Sequence, residues 1–506
     1  MNRIVRTGIG LSVVVLLGTC RGAAAADFQI AKPSDLTFRA PFQGFGVEWD
    51  PFYFVENNQK RGADEAGWKL ITQRVKDLDI RIVRMMMQLR WCQADPNLTR
   101  WTWDTPQMKS LFRYLDFCQA SGIDVILTDW GWAARGKDLA GHNLYAKPSD
   151  MRYARGMAAY LKELVVARKY TCIRYFVVGN EPDYELMKDH GTAEYVKMYA
   201  NVDAELREAG IRDKVQLMGP DMTGIEDARK EAIDRIKGVV DAYDFHRYAS
   251  AWETSNVGLR SPADSLWTHL DKWRGEVDRR DPHGSAKWLM VTEMGMGGGE
   301  TFSHPRNDTF EYAMHMADYG TTLLTCRIQA GIAWTLHDEY YFDTAYGKEF
   351  DKWLMQLGMW KYHDKNWELR PWAQSFGLLI KHAPRGSVQA AVNAAPPRTP
   401  ALSPLRCAAV KRPDGGWSVF LVNRTDKDEL FTLTLPEEAK HGYAKYVFDK
   451  WTSAKFPDRI AIPPAEQVDH LSKRISITLP GQTFVVLVET VAPQPRASSL
   501  QAVASP

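Results

Sequence analysis

From about Pro41 to Ala383, short apolar runs alternate with longer stretches whose apolar residues recur every three or four positions. The runs read as strands: Phe42–Trp49, Ile80–Met87, Asp124–Trp130, Ile173–Val178, Val215–Met218, Ala242–Phe245, Lys287–Thr292 and Gly331–Leu336. The stretches between them read as amphipathic helices. Met108, Leu111, Phe112, Leu115 and Phe117 form one such face, and Gly122 supplies its stop. Thr105-Pro106 and Ser261-Pro262 each place a capping hydroxyl before a Pro at the first helical position. Eight strands alternating with helices predict an α/β fold, a closed (β/α)₈ TIM barrel over residues 41–383. An open doubly wound sheet would call for a glycine fingerprint after the first strand, and none is present.

After Ala383 the period changes. Ala394 to Pro404 is rich in Ala and Pro and suits a loop, after which Trp417–Val422, Phe431–Leu435, Ile475–Leu479 and Phe484–Val488 alternate with a period of two. Asp414-Gly415-Gly416 is a hairpin-turn signal. These features predict a β-sandwich over residues 384–492, joined by a strand from residues 27–40. Residues 493–506, rich in Ala, Pro and Ser, read as a disordered tail. At the other end Arg3 and Arg6 precede an apolar run from Ile9 to Leu17, and Ala23 to Ala26 supply small residues before Asp27. Residues 1–26 therefore read as a secretory signal peptide, too short to span a membrane, and imply a secreted or periplasmic protein. Cys20, following Leu17-Gly18-Thr19, leaves a lipid anchor as the alternative.

Composition narrows the function. The formal charge of +2 becomes near neutral once Arg3, Arg6 and Arg21 are set aside, which points away from nucleic-acid or anionic-membrane partners. Cys92, Cys118, Cys172, Cys326 and Cys407 are scattered and lack metal-ligand spacing. They read as buried small hydrophobes, with one disulfide left open. His142, His190, His304 and His315 show no metal spacing either, so no metal or other cofactor is expected. The 18 Trp residues are a high number: flat rings suit the apolar faces of sugars, while for any one of them burial in a large barrel is the plainer reading.

In a (β/α)₈ barrel the reactive groups sit at the C-terminal ends of the strands. The fourth strand runs into Val178-Gly179-Asn180-Glu181-Pro182 and the seventh into Thr292-Glu293-Met294-Gly295. Two Glu residues thus face one barrel mouth from opposite sides. Glycoside cleavage with retention of configuration needs such a pair about 5–5.5 Å apart, one attacking the anomeric carbon and one serving as acid, then base. Burial beside its partner is expected to keep the acid protonated.

These residues resemble glycoside hydrolase clan A. Asn-Glu-Pro after the fourth strand is similar to that clan's acid/base signature, which implies that Glu181 is the acid/base and that Asn180 binds the sugar hydroxyl beside the anomeric centre. Thr-Glu-Met-Gly resembles its nucleophile site, implying Glu293. Asp244-Phe245-His246-Arg247-Tyr248 resembles its His-x-Tyr segment, so that Tyr248 orients the nucleophile and His246 lines the pocket. Ile82-Val83-Arg84 resembles the strand carrying the Arg that steadies the nucleophile, and Trp334 resembles the Trp that floors the site. Gln43-Gly44-Phe45-Gly46 and Asp414-Gly415-Gly416 resemble the families numbered 30, which include glucosylceramidases and glucuronoxylanases, with families 5 and 39 as cousins. The third-strand segment Thr128-Asp129-Trp130-Gly131-Trp132 departs from family 30, keeping a Trp but lacking its usual Ser/Pro run.

Each residue also has a plainer reading. Glu181 could cap a turn, Arg84 could pair with any buried carboxylate, and His246 suits a core position as well as a sugar ligand. For Trp130, Trp132, Glu48, His337, Asp338 and Glu339, rim packing competes evenly with substrate contact. Gly297-Gly298-Gly299 lacks the Lys-Ser/Thr ending of a phosphate loop and reads as a mobile loop at the mouth. The expectation is a retaining glycosidase acting on a β-linked, or stereochemically equivalent α-L, oligosaccharide or polysaccharide. The alternative from another class is a secreted glycan-binding protein without catalysis.

Overall fold

A computed structural model describes residues 26–491, except 33–40, 93–99, 131–146, 185, 225, 260, 301, 342–352, 396–399, 438–440 and 470–471. The expected signal peptide, but for Ala26, lies outside the described residues, as do Trp132, His142 and the tail. Eight parallel strands close a barrel in chain order: Gly44–Glu48, Ile82–Met87, Asp124–Asp129, Ile173–Val177, Gln216–Met222, Ala242–Ala249, Trp288–Met296 and Ala330–Ala333. The last pairs with the first, Gly44 opposite Ala330. The expected (β/α)₈ barrel is therefore present. The fifth, sixth and seventh strands run further towards the mouth than their apolar runs suggested, because polar residues there remain paired in the ladder.

Alternation along the strands sends every second side chain inward. Ile82, Ile126, Tyr175, Val177, Met218, Ala242, Met290, Ala330 and Ile332 fill the lower barrel as one apolar cluster. Above them the inward positions turn polar, with Arg84, Thr128, Asp244 and Thr292 all buried. The outer helices close over the outward residues. The helix Pro106–Ser121 begins as its sequence suggests: Thr105 accepts from the Met108 amide at 3.2 Å, and Gly122 ends it at φ 66°. Ser261 caps only the short turn Pro262–Asp264. The long helix Leu266–Arg280 takes its own cap from Ser265, which accepts from the Thr268 amide at 3.1 Å.

The C-terminal region forms two sheets. Six antiparallel strands run in the spatial order Val388–Ala390, Leu405–Lys411, Trp417–Asn423, Thr483–Glu489, Tyr443–Phe448 and Glu466–Val468. Four more run Val392–Ala395, Ala26–Ile30, Glu429–Thr434 and Arg474–Leu479, the second of these pairing antiparallel to the first and parallel to the third. Trp417, Val419 and Leu421 face the smaller sheet, while Phe420 and Val422 pack with the barrel's helices. The six-stranded sheet is thus covered on both faces, and the strand Trp417–Asn423 is buried throughout. Double burial also explains why Leu405–Lys411, with mixed small residues and no period of two, escapes a sequence reading. The five described cysteines are all buried and unbridged. Among the described residues no helix is long and apolar enough to cross a membrane.

Phe420 is fully buried between the sheet and the barrel's helices and stacks with Phe484 at 6.5 Å. Phe420→Ala is expected to destabilise the protein by about 3–5 kcal/mol. Leu430→Ala, at a side chain 41% exposed, should stay within roughly 0.5 kcal/mol. Chemical denaturation of the two variants beside wild type checks the contrast; equal midpoints would contradict the packing described.

Candidate active site

Arg84 projects from the second barrel strand into the polar layer, with no solvent exposure. Its Nη1 donates to Glu293 Oε1 at 2.7 Å and to Glu48 Oε2 at 3.0 Å. Its Nη2 donates to Asn180 Oδ1 at 2.7 Å and to Asp221 Oδ2 at 3.0 Å, and its Nε to Thr128 Oγ1 at 3.1 Å. One planar cation therefore ties together residues from five different strand ends, the use to which a guanidinium is suited and an ammonium is not.

Glu293 lies within the seventh strand. Tyr248 donates its hydroxyl to Glu293 Oε2 at 2.8 Å, so both oxygens of the carboxylate are engaged. On the other side of the mouth Glu181 has a left-handed backbone, φ 42°, and a side chain 27% exposed. Its Oε1 lies 2.9 Å from His246 Nδ1, while His246 Nε2 lies 2.9 Å from Asp221 Oδ1. Acceptor or donor atoms of Glu181, His246 and Glu293 all fall within 4.8 Å of one another. One oxygen of each carboxylate thus approaches the other closely, as the roughly 5–5.5 Å spacing of a retaining pair would require.

Two register shifts build this arrangement. Between the sixth and seventh strands the pairing passes from Phe245 opposite Val291 to His246 opposite Glu293, skipping Thr292. Between the fifth and sixth it passes from Pro220 opposite Asp244 to Met222 opposite Phe245, skipping Asp221, whose φ is 55°. A bulge re-aims side chains that strict alternation would send elsewhere. Asp221 and Glu293 thereby turn inside beside Thr292, whose Oγ1 donates to Asp221 Oδ1 and to Asp244 Oδ2, each at 3.3 Å.

The electrostatics follow from burial and these partners. Burial pushes Glu293 up to about 7, opposed by the positive charges of His246 and Arg84. Burial also raises Glu48 well above the usual carboxylate range despite Arg84, and raises Asp244, with Asp221 adding to the effect. Asp221 is the exception: burial opposes its charge, but Arg84 and His246 hold it well below an ordinary Asp. Glu293 is thus the more enclosed of the two carboxylates, its side chain 1% exposed against 27% for Glu181.

Glu181, Glu293, Tyr248 and Trp334 line a cleft with Tyr184, Met296, Gly297–Gly299, Glu300, Ser303, His304, Tyr312 and Leu357. Gly298 adopts φ 93°, and a Cβ on Gly299 would come within 2.8 Å of the Ser303 carbonyl. Arg84 and His246 sit fully buried, bonded to Glu293 and Glu181 respectively. Asn180 turns its oxygen to Arg84, which leaves its amide hydrogens for a ligand. Trp130 is not among the described lining residues; its ring meets Tyr341 at 5.2 Å, and Tyr341 meets Trp334 at 5.8 Å. Glu48 proves to be a partner of Arg84, and Asp338 a buried partner of Arg370 at 2.6 Å, so these two belong to the framework. His337 is buried among Tyr53, Trp360 and Trp367.

Glu181, His246 and Glu293 are close enough to hold a metal ion. The atoms that would bind one are already bonded to Asp221, Arg84 and Tyr248 or to each other, and Arg84 would repel a cation. The donor set suits proton traffic rather than a metal. A second cleft, lined by Arg229, Lys230, Arg247, His269 and Trp273, opens beside the sixth strand with Glu276 as its only described carboxylate, so no acid pair is available there.

No protein-family model and no curated sequence matches the chain. Solved structures do. A GH30 endoxylanase from Clostridium papyrosolvens C71 superposes with a TM-score of 0.60 at 13% identity, over 92% of this chain and 100% of that one. A GH39 enzyme from Xanthomonas axonopodis pv. citri gives 0.61 at 14% identity, over 94% and 100%. A GH39 β-xylosidase from Caulobacter crescentus gives 0.57 at 13% identity, over 92% and 100%. The chain shares with these enzymes the fold of a (β/α)₈ barrel followed by a β-sandwich. Within that fold the sequence missed Asp221, since a skipped register position leaves no mark in the apolar pattern. The only signal for Asp221 was its place after Met218-Gly219-Pro220 at the end of the fifth strand.

Removing Arg84 would strand Glu293 and Asp221 as buried charges. Arg84→Met should cost about 3–5 kcal/mol at neutral pH. In the wild type Asp221 is held below its ordinary 3.8, so its pairing stabilises the fold above that pH and is lost as the pH falls through the lowered value. The deficit of Arg84→Met should therefore shrink as unfolding is measured at decreasing pH below 3.8. A deficit that stays constant with pH would show that the stranded charges are not its cause.

Proposed function

We propose that the protein is a retaining O-glycoside hydrolase that acts on a β-linked, or stereochemically equivalent α-L, glycan. The observation that carries this reading is the opposed pair Glu181 and Glu293, with oxygens within 4.8 Å and different surroundings. Glu293, held by Arg84 and Tyr248, attacks the anomeric carbon and forms a glycosyl ester. Glu181, at the open side, gives its proton to the departing oxygen. It then takes a proton from water as the hydroxyl displaces Glu293. Asn180 offers its amide hydrogens to the neighbouring sugar hydroxyl and Trp334 a flat face to the ring. The likeness to a GH30 endoxylanase and a GH39 β-xylosidase supports a glycan substrate and puts xylosides first in a panel of aryl glycosides and polysaccharides. The leader read from the sequence supports a secreted or periplasmic enzyme.

The two carboxylates should depend differently on the leaving group. Glu181→Ala should lose about 10²–10⁴-fold on natural glycosides, yet show a burst of phenol on a dinitrophenyl glycoside, followed by a slow phase that azide accelerates. Glu293→Ala should show no burst on any substrate. Equal losses in both variants, without burst or azide effect, would refute the assignment. Failure of the wild type to hydrolyse any of the panel, with sugars still bound, would favour the glycan-binding alternative.

The acidic limb of kcat/KM provides an independent check. Glu293 must be ionised to attack, and burial raises it, so activity should fall as pH drops through about 7. A limb at or below the ordinary Glu value of 4.5 would contradict the buried nucleophile described.

A further inference from the structure

We propose that Asp221 is a positioning residue that keeps His246 doubly protonated, so that the ring's Nδ1–H holds one oxygen of Glu181 and leaves the other facing the cleft. This inference rests on the glycosidase reading for its catalytic consequence, though not for its structural core. Asp221 has no solvent exposure. Its Oδ2 accepts from Arg84 at 3.0 Å and its Oδ1 lies 2.9 Å from His246 Nε2. A carboxylate that pairs with a guanidinium can only accept. The shared hydrogen therefore belongs to His246 Nε2, which fixes the tautomer as an orienting carboxylate does elsewhere.

The other ring nitrogen faces only oxygens: Glu181 Oε1 at 2.9 Å and Glu293 Oε2 at 3.5 Å. Around the ring stand Arg84 from the second strand, Glu181 after the fourth, Asp221 from the fifth, Tyr248 from its own strand and Glu293 from the seventh. Burial by itself would favour the neutral ring, but the charges of Asp221 and Glu293 outweigh it and raise His246 well above an ordinary imidazole.

The consequence is a division of Glu181 into two oxygens with separate tasks. Oε1 is held inward by the ring, and Oε2 is left to serve the glycosidic oxygen. When Glu181 gives up its proton in the first step, the Nδ1–H stabilises the carboxylate that remains. When water attacks, its proton goes to Glu181, its oxygen bonds to the anomeric carbon, and the ester's electron pair returns to Glu293. His246 ends each step with the protons it began with.

Asp221→Asn tests this, because the amide keeps the side chain's shape and removes its charge. Nitrogen NMR of the histidine rings, with the His246 signal assigned by its absence in His246→Gln, should show both ring nitrogens protonated at neutral pH in the wild type and a neutral ring in Asp221→Asn. On a poor leaving group kcat should fall by about 10–10²-fold with KM little changed. The basic limb, set by loss of the Glu181 proton, should move up by at least ~1 pH unit, while the glycosylation step on a dinitrophenyl glycoside is little changed. A neutral His246 ring in the wild type overturns the proposal, whatever the folding of the variant. So does an unchanged ring in Asp221→Asn, or an equal loss on all substrates with an unshifted profile. If the wild type hydrolyses nothing, the glycosidase reading fails while the ring measurement still decides whether Asp221 holds the proton.

Discussion

A single guanidinium organises the barrel mouth. Arg84 sits where the apolar filling of the barrel ends, and everything polar above it is arranged around its plane. Burying such a cation is costly unless its charge and hydrogens are satisfied, and burying carboxylates is costly for the same reason. Each therefore depends on the other. Glu48, Asp221 and Glu293 come from three separate strands and could not share one small volume without Arg84 between them. The fork geometry also sets direction, because one Nη serves Glu293 and Glu48 while the other serves Asn180 and Asp221.

From that constraint follows an unequal treatment of two chemically identical side chains. Glu293 is enclosed and doubly hydrogen-bonded, whereas Glu181 is partly open to the cleft and held through one oxygen. Environments that differ in this way separate the roles of paired carboxylates. The left-handed backbone of Glu181 and Asp221 belongs to the same design. Such conformations cost about 1–3 kcal/mol for a non-glycine residue and persist only where the surroundings dictate them. Here both residues are tied to His246, and Asp221 to Arg84 as well.

The barrel was legible because its strands are apolar runs and its helices have a three-four period, as in the face Met108, Leu111, Phe112 and Leu115. Arg84, Asn180, Glu181, His246, Tyr248 and Glu293 could be named from short motifs, and the structure brings them into one connected set of hydrogen bonds. Trp130 could be placed at a strand end but not at the cleft, since the aromatic packing of Tyr341 between it and Trp334 is a tertiary fact. Asp221 was hidden for a different reason. A period-two reading assigns faces by counting, and one bulge reverses the count. The strand Leu405–Lys411 was hidden because a strand buried on both faces has no alternation to read.

The C-terminal sheets bear on the chemistry through one helix. Phe310–Leu324 is buried almost throughout, with the barrel on one side and the six-stranded sheet on the other. Its Asp318 lies against Arg406 at 3.2 Å and Arg424 at 3.9 Å, both from the sheet region. From the same helix, Tyr312 lines the cleft and His315 Nε2 approaches the Gly295 carbonyl at 3.3 Å, two residues beyond Glu293. Tyr319 donates to the Arg247 carbonyl at 3.0 Å, between His246 and Tyr248. The helix thus touches the backbone on either side of the bulge that aims Glu293. A helix so apolar could not face solvent in this position, and the sheet that covers it also keeps it pressed against the seventh strand. The sandwich is in this sense part of the support of the site, although none of its residues is among those described at the cleft.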